Sequence, residues 1–403
     1  MDKNLIFNNL KTHPTNKEEA LNWDYKFWKT MPVPNINEII PTSNIINNDI
    51  IEKFSSNNEV KLSEFYEWCT LEKNDINLVT EFFNKYYISN INKKFSLLFN
   101  DDYFNWLLSQ APSTILVLRV KNNKKLAGIL FSSTKNYQIF NKETLLADVN
   151  YLVIHPKLRN KNITPLFIKE FVRRMTNQEI KAGFFATEKY IPTPFCKIEH
   201  YYRPLNYRKL YQSGFIKLDD NVTLKEGLTA FSVKYVPDNY VVKMTEKHYE
   251  DAFEILNSYQ DKYNFYQKYT LEQFIKTFSN DSNSISSYVI LDKDNLVVDF
   301  YSYYKLSYHI PPKDSNPATE VKAAFMHTYT SNITLPLFIF KSAIMNAYNE
   351  GLDIFYCNDT MENNNVLFDN YSKIVKGSGY SYCNFFNWKC PSITPQQMYK
   401  TIL

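Results

Sequence analysis

From Asp148 to His155 the chain alternates in polarity and is rich in β-branched and aromatic residues, the pattern of a half-buried strand, and Pro156 closes it. A few residues on, Phe167, Ile168, Phe171, Val172 and Met175 recur at helical spacing, with Thr164 and Pro165 at the N-cap and in the first turn. Between strand and helix lies a short polar loop holding Lys157, Arg159 and Lys161. The first N–H groups of a helix have no internal partner, and its dipole favours an anion there. Strand, basic loop and helix start in that order therefore predict a phosphate or pyrophosphate site, with a solvated basic turn as the alternative.

The pattern returns. Asn162-Ile163-Thr164-Pro165-Leu166-Phe167-Ile168 reappears as Asn332-Ile333-Thr334-Leu335-Pro336-Leu337-Phe338-Ile339, each time after a strand-like stretch. The second helix is expected to end near Gly351 and lead into a strand from Leu352 to Cys357. Duplication accounts for both copies; chance similarity in a biased composition is the alternative. The second copy carries Tyr329-Thr330-Ser331 where the first has Leu158-Arg159-Asn160-Lys161, so only the first is equipped for an anion. The boundary is placed near 225 to 240, giving residues 1–230 for an anionic cofactor and leaving 231–403 free for a second ligand.

Composition narrows the class. A chain of 403 residues with 44% hydrophobic content can build a large core, and a net charge of +4 is too small at this length to argue for nucleic acid. No apolar run has the length of a membrane span, and MDKNLIFNNL lacks the order of a signal peptide, so a cytosolic protein, taken as a monomer, is expected. Cys69, Cys196, Cys357, Cys383 and Cys390 have no metal-ligand spacing, nor do the six histidines, so reduced thiols and no metal are expected. Asn-rich stretches around 44 to 58 and 362 to 365 read as loops.

Several short words place the chain beside a known family. Asp148-Val149-Asn150-Tyr151-Leu152-Val153-Ile154-His155 and the following Lys157-Leu158-Arg159 resemble the strand and basic loop of glycylpeptide N-myristoyltransferases. In the same order, Tyr25-Lys26-Phe27-Trp28-Lys29-Thr30-Met31-Pro32-Val33-Pro34, Tyr202-Arg203-Pro204-Leu205-Asn206, Met361-Glu362-Asn363 and Asn387-Trp388-Lys389-Cys390-Pro391 are similar to further family words. The resemblance covers about residues 25 to 403. It implies an α/β (α+β) fold of two fused GNAT-like acyltransferase halves with pseudo-twofold symmetry around a saddle-shaped mixed sheet. It also implies myristoyl-coenzyme A as co-substrate and direct transfer of the acyl group to the α-amine of an N-terminal glycine on a protein or peptide.

Carried over by motif, Lys26, Phe27 and Trp28 lie against the coenzyme, together with Tyr151, Leu152, Val153, Ile154, Arg159, Asn160, Lys161, Asn162, Ile163 and Thr164. The backbone N–H groups of Tyr151 and Leu152 are the candidate oxyanion donors, with Asn150 just before them. Asn162 replaces a family arginine, which weakens phosphate binding without abolishing it. The base implied is the terminal α-carboxylate, here on Leu403, and the apolar ending from Tyr399 favours its burial. Thr187 is the nearest match to a family threonine, displaced by one position. For the acceptor, Tyr87, Tyr202, His327, Ser378, Gly379 and Leu403 are the candidates.

In the family, acidic residues over the peptide groove favour basic substrate residues. Here Tyr87 is followed by Ile88-Ser89-Asn90-Ile91-Asn92-Lys93-Lys94, Ser378 stands in place of an aspartate and Tyr202 in place of a histidine. A looser peptide preference is expected. The short segment before Tyr25 gives no expectation of ribosome association. Two other classes fit the same words: a GNAT-type transferase using another acyl length or a lysine acceptor, and a catalytically silent binder of acyl-coenzyme A or acylated N-termini.

Overall fold

The structure is a computed structural model and describes residues 13–71, 75–87, 95–218, 222–233, 240–312, 319–370 and 372–402. In the first half, β1 (Ser113–Val120), β2 (Leu126–Ile139) and β3 (Lys142–Ile154) form an antiparallel run. Helix α1 (Ile163–Thr176) then crosses to β4 (Ala182–Thr187), parallel to β3, and β5 (Cys196–Pro204) follows. The second half contains β6 (Phe265–Lys268) and repeats the plan as β7 (Ile285–Leu291), β8 (Val297–Ile310) and β9 (Thr319–Tyr329). Helix α2 (Pro336–Asn349) leads to β10 (Ile354–Asn358), after which come β11 (Val375–Phe386) and β12 (Met398–Tyr399).

The repeat is exact in register. In β2 and β3, Phe131 faces Tyr151 and Ser132 faces Val149, so Asn150 is an extra residue, a β-bulge. In β8 and β9, Ser302 faces Thr328 and Tyr303 faces Met326, so His327 is the matching bulge. Counting back from these bulges, Leu146 pairs with Ala182 in the first half as Ala323 pairs with Ile354 in the second.

The halves also exchange strands. The C-terminal β11 lies between β4 and β5, while β5 itself pairs with β10. Residues Ser96–Leu98 pair with 307–309 of β8, and β6 pairs with 136–139 of β2 at the equivalent register. Among the described residues one 15-stranded mixed sheet results, with pseudo-twofold symmetry between β5 and β11. Each half thus completes the other's sheet, and apolar clusters on both faces contain residues from both: Phe131, Tyr151, Tyr304 and Phe325 belong to one of them.

The two crossover helices start differently. Thr164 and Pro165 are not the N-cap and first helical residue: α1 begins at Ile163 after Asn162, whose φ of 56° is left-handed and which makes no side-chain cap hydrogen bond. Pro165 is tolerated because a first-turn N–H has no intrahelical acceptor to lose. The second helix begins at Pro336, and Gly351 (φ +77°) follows its end, as the punctuation of the sequence predicts. Its strand starts at Ile354, two residues later than expected; the Asp353 N–H still donates to the Lys322 carbonyl at 2.7 Å, while its carboxylate takes Lys209 and Asn206.

Candidate active site

Parallel pairing of β3 with β4 stops at Val149 and Phe185. Beyond it β3 runs on from Asn150 to Ile154 against β2 alone, and the two parallel strands splay apart. A regular strand aims successive N–H groups at opposite edges, and the bulge at Asn150 breaks that alternation beside Tyr151 and Leu152. Asn150 is half-buried and accepts from Ser133 at 3.5 Å. The N-terminal segment closes on the opening: Trp28 stacks on Phe185 at 5.7 Å and packs with Phe27 and with Ile168 of α1, while Lys26 is exposed.

The basic loop after β3 combines a turn at Pro156–Leu158 with left-handed Asn160 (φ 61°) and Asn162, so the helix start is preceded by alternating backbone conformations of the kind that form anion-binding concavities. Lys157, Asn160, Lys161, Asn162 and Thr164 are exposed and Ile163 half-buried. Arg159 serves differently from the simple phosphate cation expected of it. Its guanidinium donates to the carbonyls of Ile154 (2.9 Å) and Tyr86 (2.6 Å), bracing the loop against the helix that ends at Tyr86.

The second half has the same devices, occupied from within. Backbone N–H groups of Asn332, Ile333 and Thr334 before α2 all donate to the buried carboxylate of Asp299, at 2.7, 3.1 and 2.7 Å. At the register of Asp299 the first half has Gly128, where even a Cβ would meet the Phe167 ring at 2.7 Å. The first loop therefore has no internal carboxylate from that position. Replacing Asp299 with Ala leaves three N–H groups without their acceptor and is expected to cost about 3 kcal/mol, read as a lower urea midpoint at unchanged m value.

The splay between β9 and β10 is likewise filled, by the chain's own end. Tyr399 donates its hydroxyl to the Tyr329 carbonyl, Thr401 Oγ1 donates to the His327 carbonyl, and the Ile402 N–H donates to Asn358 Oδ1 at 2.9 Å. Lys400 reaches across to the first half, 3.0 Å from Asp148 Oδ2 on β3. Leu403 lies outside the described residues.

Asp148 is the centre of a buried ionic group that sequence reading missed. Tyr137 donates to it at 2.7 Å, and Lys135 Nζ lies 3.7 Å away while bonding Gln110 at 3.3 Å. Burial alone would raise the Asp148 carboxyl, but Lys400 and Lys135 hold it below the usual range. Burial pushes Lys135 down to about 8 against the pull of Asp148. The signal available in the sequence was Lys135 in an otherwise strand-like run and Lys400 within an apolar tail.

The remaining candidates fall around this centre. Tyr87 packs its ring on Phe83, Phe99 and Tyr151, bringing together a residue expected at the acceptor and one expected at the coenzyme, and burial pushes its hydroxyl up to about 12. Tyr151 itself turns its hydroxyl to Tyr103 at 2.7 Å. Val153 and Ile154 are buried and Leu152 half-buried. Thr187 ends β4 opposite Tyr382, and its Oγ1 accepts from the Lys189 N–H. Tyr202 lies across from Tyr356, and Ser378 is exposed. His327 stands in an aromatic cage of Trp106, Phe278 and Tyr304, half-buried, with its Nδ1 shielded from solvent; burial lowers its pKa to about 3. Residues 88–94, expected to shape the peptide groove, lie outside the described residues.

Two fused halves of this plan, each with a strand–loop–helix anion device beside a splayed strand pair, define a tandem acyl-coenzyme A transferase architecture. The N-terminal domain model of the myristoyl-CoA:protein N-myristoyltransferases matches residues 45–198, and the C-terminal domain model matches 212–401. The chain is 27% identical over 395 residues to a glycylpeptide N-tetradecanoyltransferase of Kluyveromyces lactis, covering 92% of this chain and 87% of the relative. It is 28% identical over 391 residues to the Candida albicans protein of that name, covering 91% and 85%. Its fold matches Saccharomyces cerevisiae N-myristoyltransferase crystallised with bound myristoyl-CoA, at a TM-score of 0.86 and 23% identity over 94% of this chain and 93% of that one. The chain belongs to the myristoyl-CoA:protein N-myristoyltransferase family.

Proposed function

We infer that the protein transfers a myristoyl group from myristoyl-coenzyme A to the amine of an N-terminal glycine by direct attack on the thioester. What carries the site assignment is the contrast between two equivalent devices. In the second half Asp299 and residues 399–402 occupy the anion loop and the splay; in the first half Phe27 and Trp28 pack beside the equivalent splay at Phe185, and Gly128 offers the equivalent loop no carboxylate. The coenzyme phosphates take the loop of Lys157, Asn160, Lys161 and Asn162 and the first-turn N–H groups of Ile163 and Thr164, and Arg159 keeps that loop in place. The thioester oxygen, on which negative charge grows, meets the N–H groups of Tyr151 and Leu152 at the bulge.

An attacking α-amine has an ordinary pKa near 8 and must lose protons, so a base is needed within hydrogen-bond reach. The terminal carboxylate fills that role: the tail is anchored through Ile402, one residue before it. The rest of the C-terminal half, with Tyr87 and Tyr202, receives the acceptor peptide. Cytosolic action as a monomer belongs to the same reading; it accords with five unpaired cysteines, and cell fractionation and gel filtration test it.

Single-turnover transfer from myristoyl-coenzyme A to a short glycine-led peptide tests the assignment. Product is expected with a glycine N-terminus and not with alanine or a lysine side chain as acceptor, and myristoyl is expected to exceed octanoyl and acetyl donors. Faster transfer of a shorter acyl group, or to lysine, selects the wider acyltransferase reading; tight binding without transfer selects the silent binder. Peptide panels are expected to show no demand for Lys or Arg beyond the first few residues. A kcat/KM gain of about tenfold or more from such residues would refute that expectation.

A further inference from the structure

Asn358 ends β10 at the floor of the second splay, only 2% exposed, and uses both ends of its amide. Its Oδ1 accepts from the Ile402 N–H at 2.9 Å; its Nδ2 lies 2.9 Å from His200 Nδ1 on β5. A carboxamide accepts only through oxygen, so the bond from Ile402 fixes which end faces the histidine. His200 Nδ1 must then offer a lone pair, and the ring carries its proton on Nε2, directed at Ser381 Oγ, 3.0 Å away on β11. The Asn358 carbonyl is occupied too, by Asn363 Nδ2 at 2.7 Å.

A Cβ on Gly379 would lie 3.3 Å from His200 Cδ2, and one on Gly377 would lie 3.0 Å from the His200 carbonyl oxygen, so the irregular stretch of β11 packs on the histidine from one side. Gly379, expected at the acceptor, braces this network. Burial lowers the His200 pKa to about 4, so the neutral tautomer that the geometry demands persists across the working pH range.

We propose that Asn358, held in one amide orientation by His200 and Ser381, is a positioning residue for the transfer step: it fixes Ile402 and thereby aims the terminal carboxylate. The proposal rests on the reading of that carboxylate as the base. A displacement of about 1 Å at a reacting group costs up to 100-fold in rate, so one hydrogen bond next to the base has leverage on chemistry.

The test is rapid-quench single turnover across pH 5.5–9, with myristoyl-coenzyme A affinity and melting temperature measured on the same samples. Asn358→Leu is expected to slow transfer about tenfold or more at saturating coenzyme, with affinity for the coenzyme within about twofold. A loosened carboxylate meets more water, so the acid limb of the rate profile moves to lower pH. Asn358→Asp keeps an acceptor for Ile402 and is expected to recover most of the rate; His200→Ala frees the amide and is expected to slow transfer less than Asn358→Leu. An Asn358→Leu enzyme with lowered melting temperature but unchanged rate and acid limb overturns the proposal. Should that variant not fold, unchanged rate and acid limb in His200→Ala overturns it instead. A chain lacking Leu403 that transfers at the full rate sinks the underlying reading of the base, a different result from either.

Discussion

Removing Leu403 is expected to slow acyl transfer about a thousandfold while leaving coenzyme binding intact. A general base commonly contributes between about 10² and 10⁴ in rate. The shortened chain still ends in a carboxylate, but on Ile402, whose backbone is fixed by Asn358 one residue too early. The residues proposed to anchor the coenzyme sit in the other splay, on β3, α1 and the segment around Trp28, and are untouched. Rapid-quench transfer with isothermal titration of myristoyl-coenzyme A separates the two effects. Adding one glycine after Leu403 is expected to be nearly as damaging, because it moves the carboxylate past the site. Leu403→Gln is expected to retain most activity, because the group at work belongs to the main chain. Equal rates for the full and shortened chains would remove the carboxylate from the mechanism.

The duplicated words around Asn162 and Asn332 made the symmetry of the fold legible, because helix starts and strand patterns are written locally. They could not show strand exchange, which depends on pairing between residues hundreds of positions apart: nothing near Ser96 signals that it meets β8 of the other half. The resemblance pointed to the loop, to Asn150, Tyr151 and Leu152, and to the chain terminus, since each is a contiguous word; the bulge at Asn150 came only with the strand pairing. The bracing role of Arg159 was not legible because its partners, Ile154 and Tyr86, are carbonyl oxygens, and a main-chain acceptor leaves no mark in sequence. Likewise the loop start at Asn332 lacked basic residues, yet the reason it needs no external anion is Asp299, a strand away. The network of His200, Asn358 and Ser381 draws one member from each of three strands, two of them exchanged, and was invisible for the same reason.

Exchanging Asp148 for Asn is expected to cost about 3–5 kcal/mol, the usual penalty for removing one partner from a buried ion pair. The loss is large because Asp148 is a single carboxylate serving Lys135 and Lys400 and accepting from Tyr137, with Tyr269, Cys383 and the uncharged His327 as further titratable neighbours. The pH dependence has two edges. Asp148 has a depressed carboxyl pKa, so its contribution is complete above its ordinary value near 4 and fades as pH falls through the folded one; the variant lacks that acid-side loss. Lys135 is depressed to about 8 against an ordinary value near 10.4, so between these the unfolded chain holds more protons and stability rises with pH. Without the carboxylate the lower edge of that window moves below 8, and the penalty of Asp148→Asn shrinks as Lys135 sheds its proton. Lys135→Met provides the control: it leaves Asp148 and Lys400 as a one-to-one pair, removes the alkaline rise, and is expected to be neutral or stabilising near pH 7, since a buried excess cation is replaced by an apolar chain of similar length. Urea melts of both variants from pH 3 to pH 10 check this; a Lys135→Met enzyme as unstable as Asp148→Asn would mean that the second lysine is a required member of the group, not an excess charge tolerated within it.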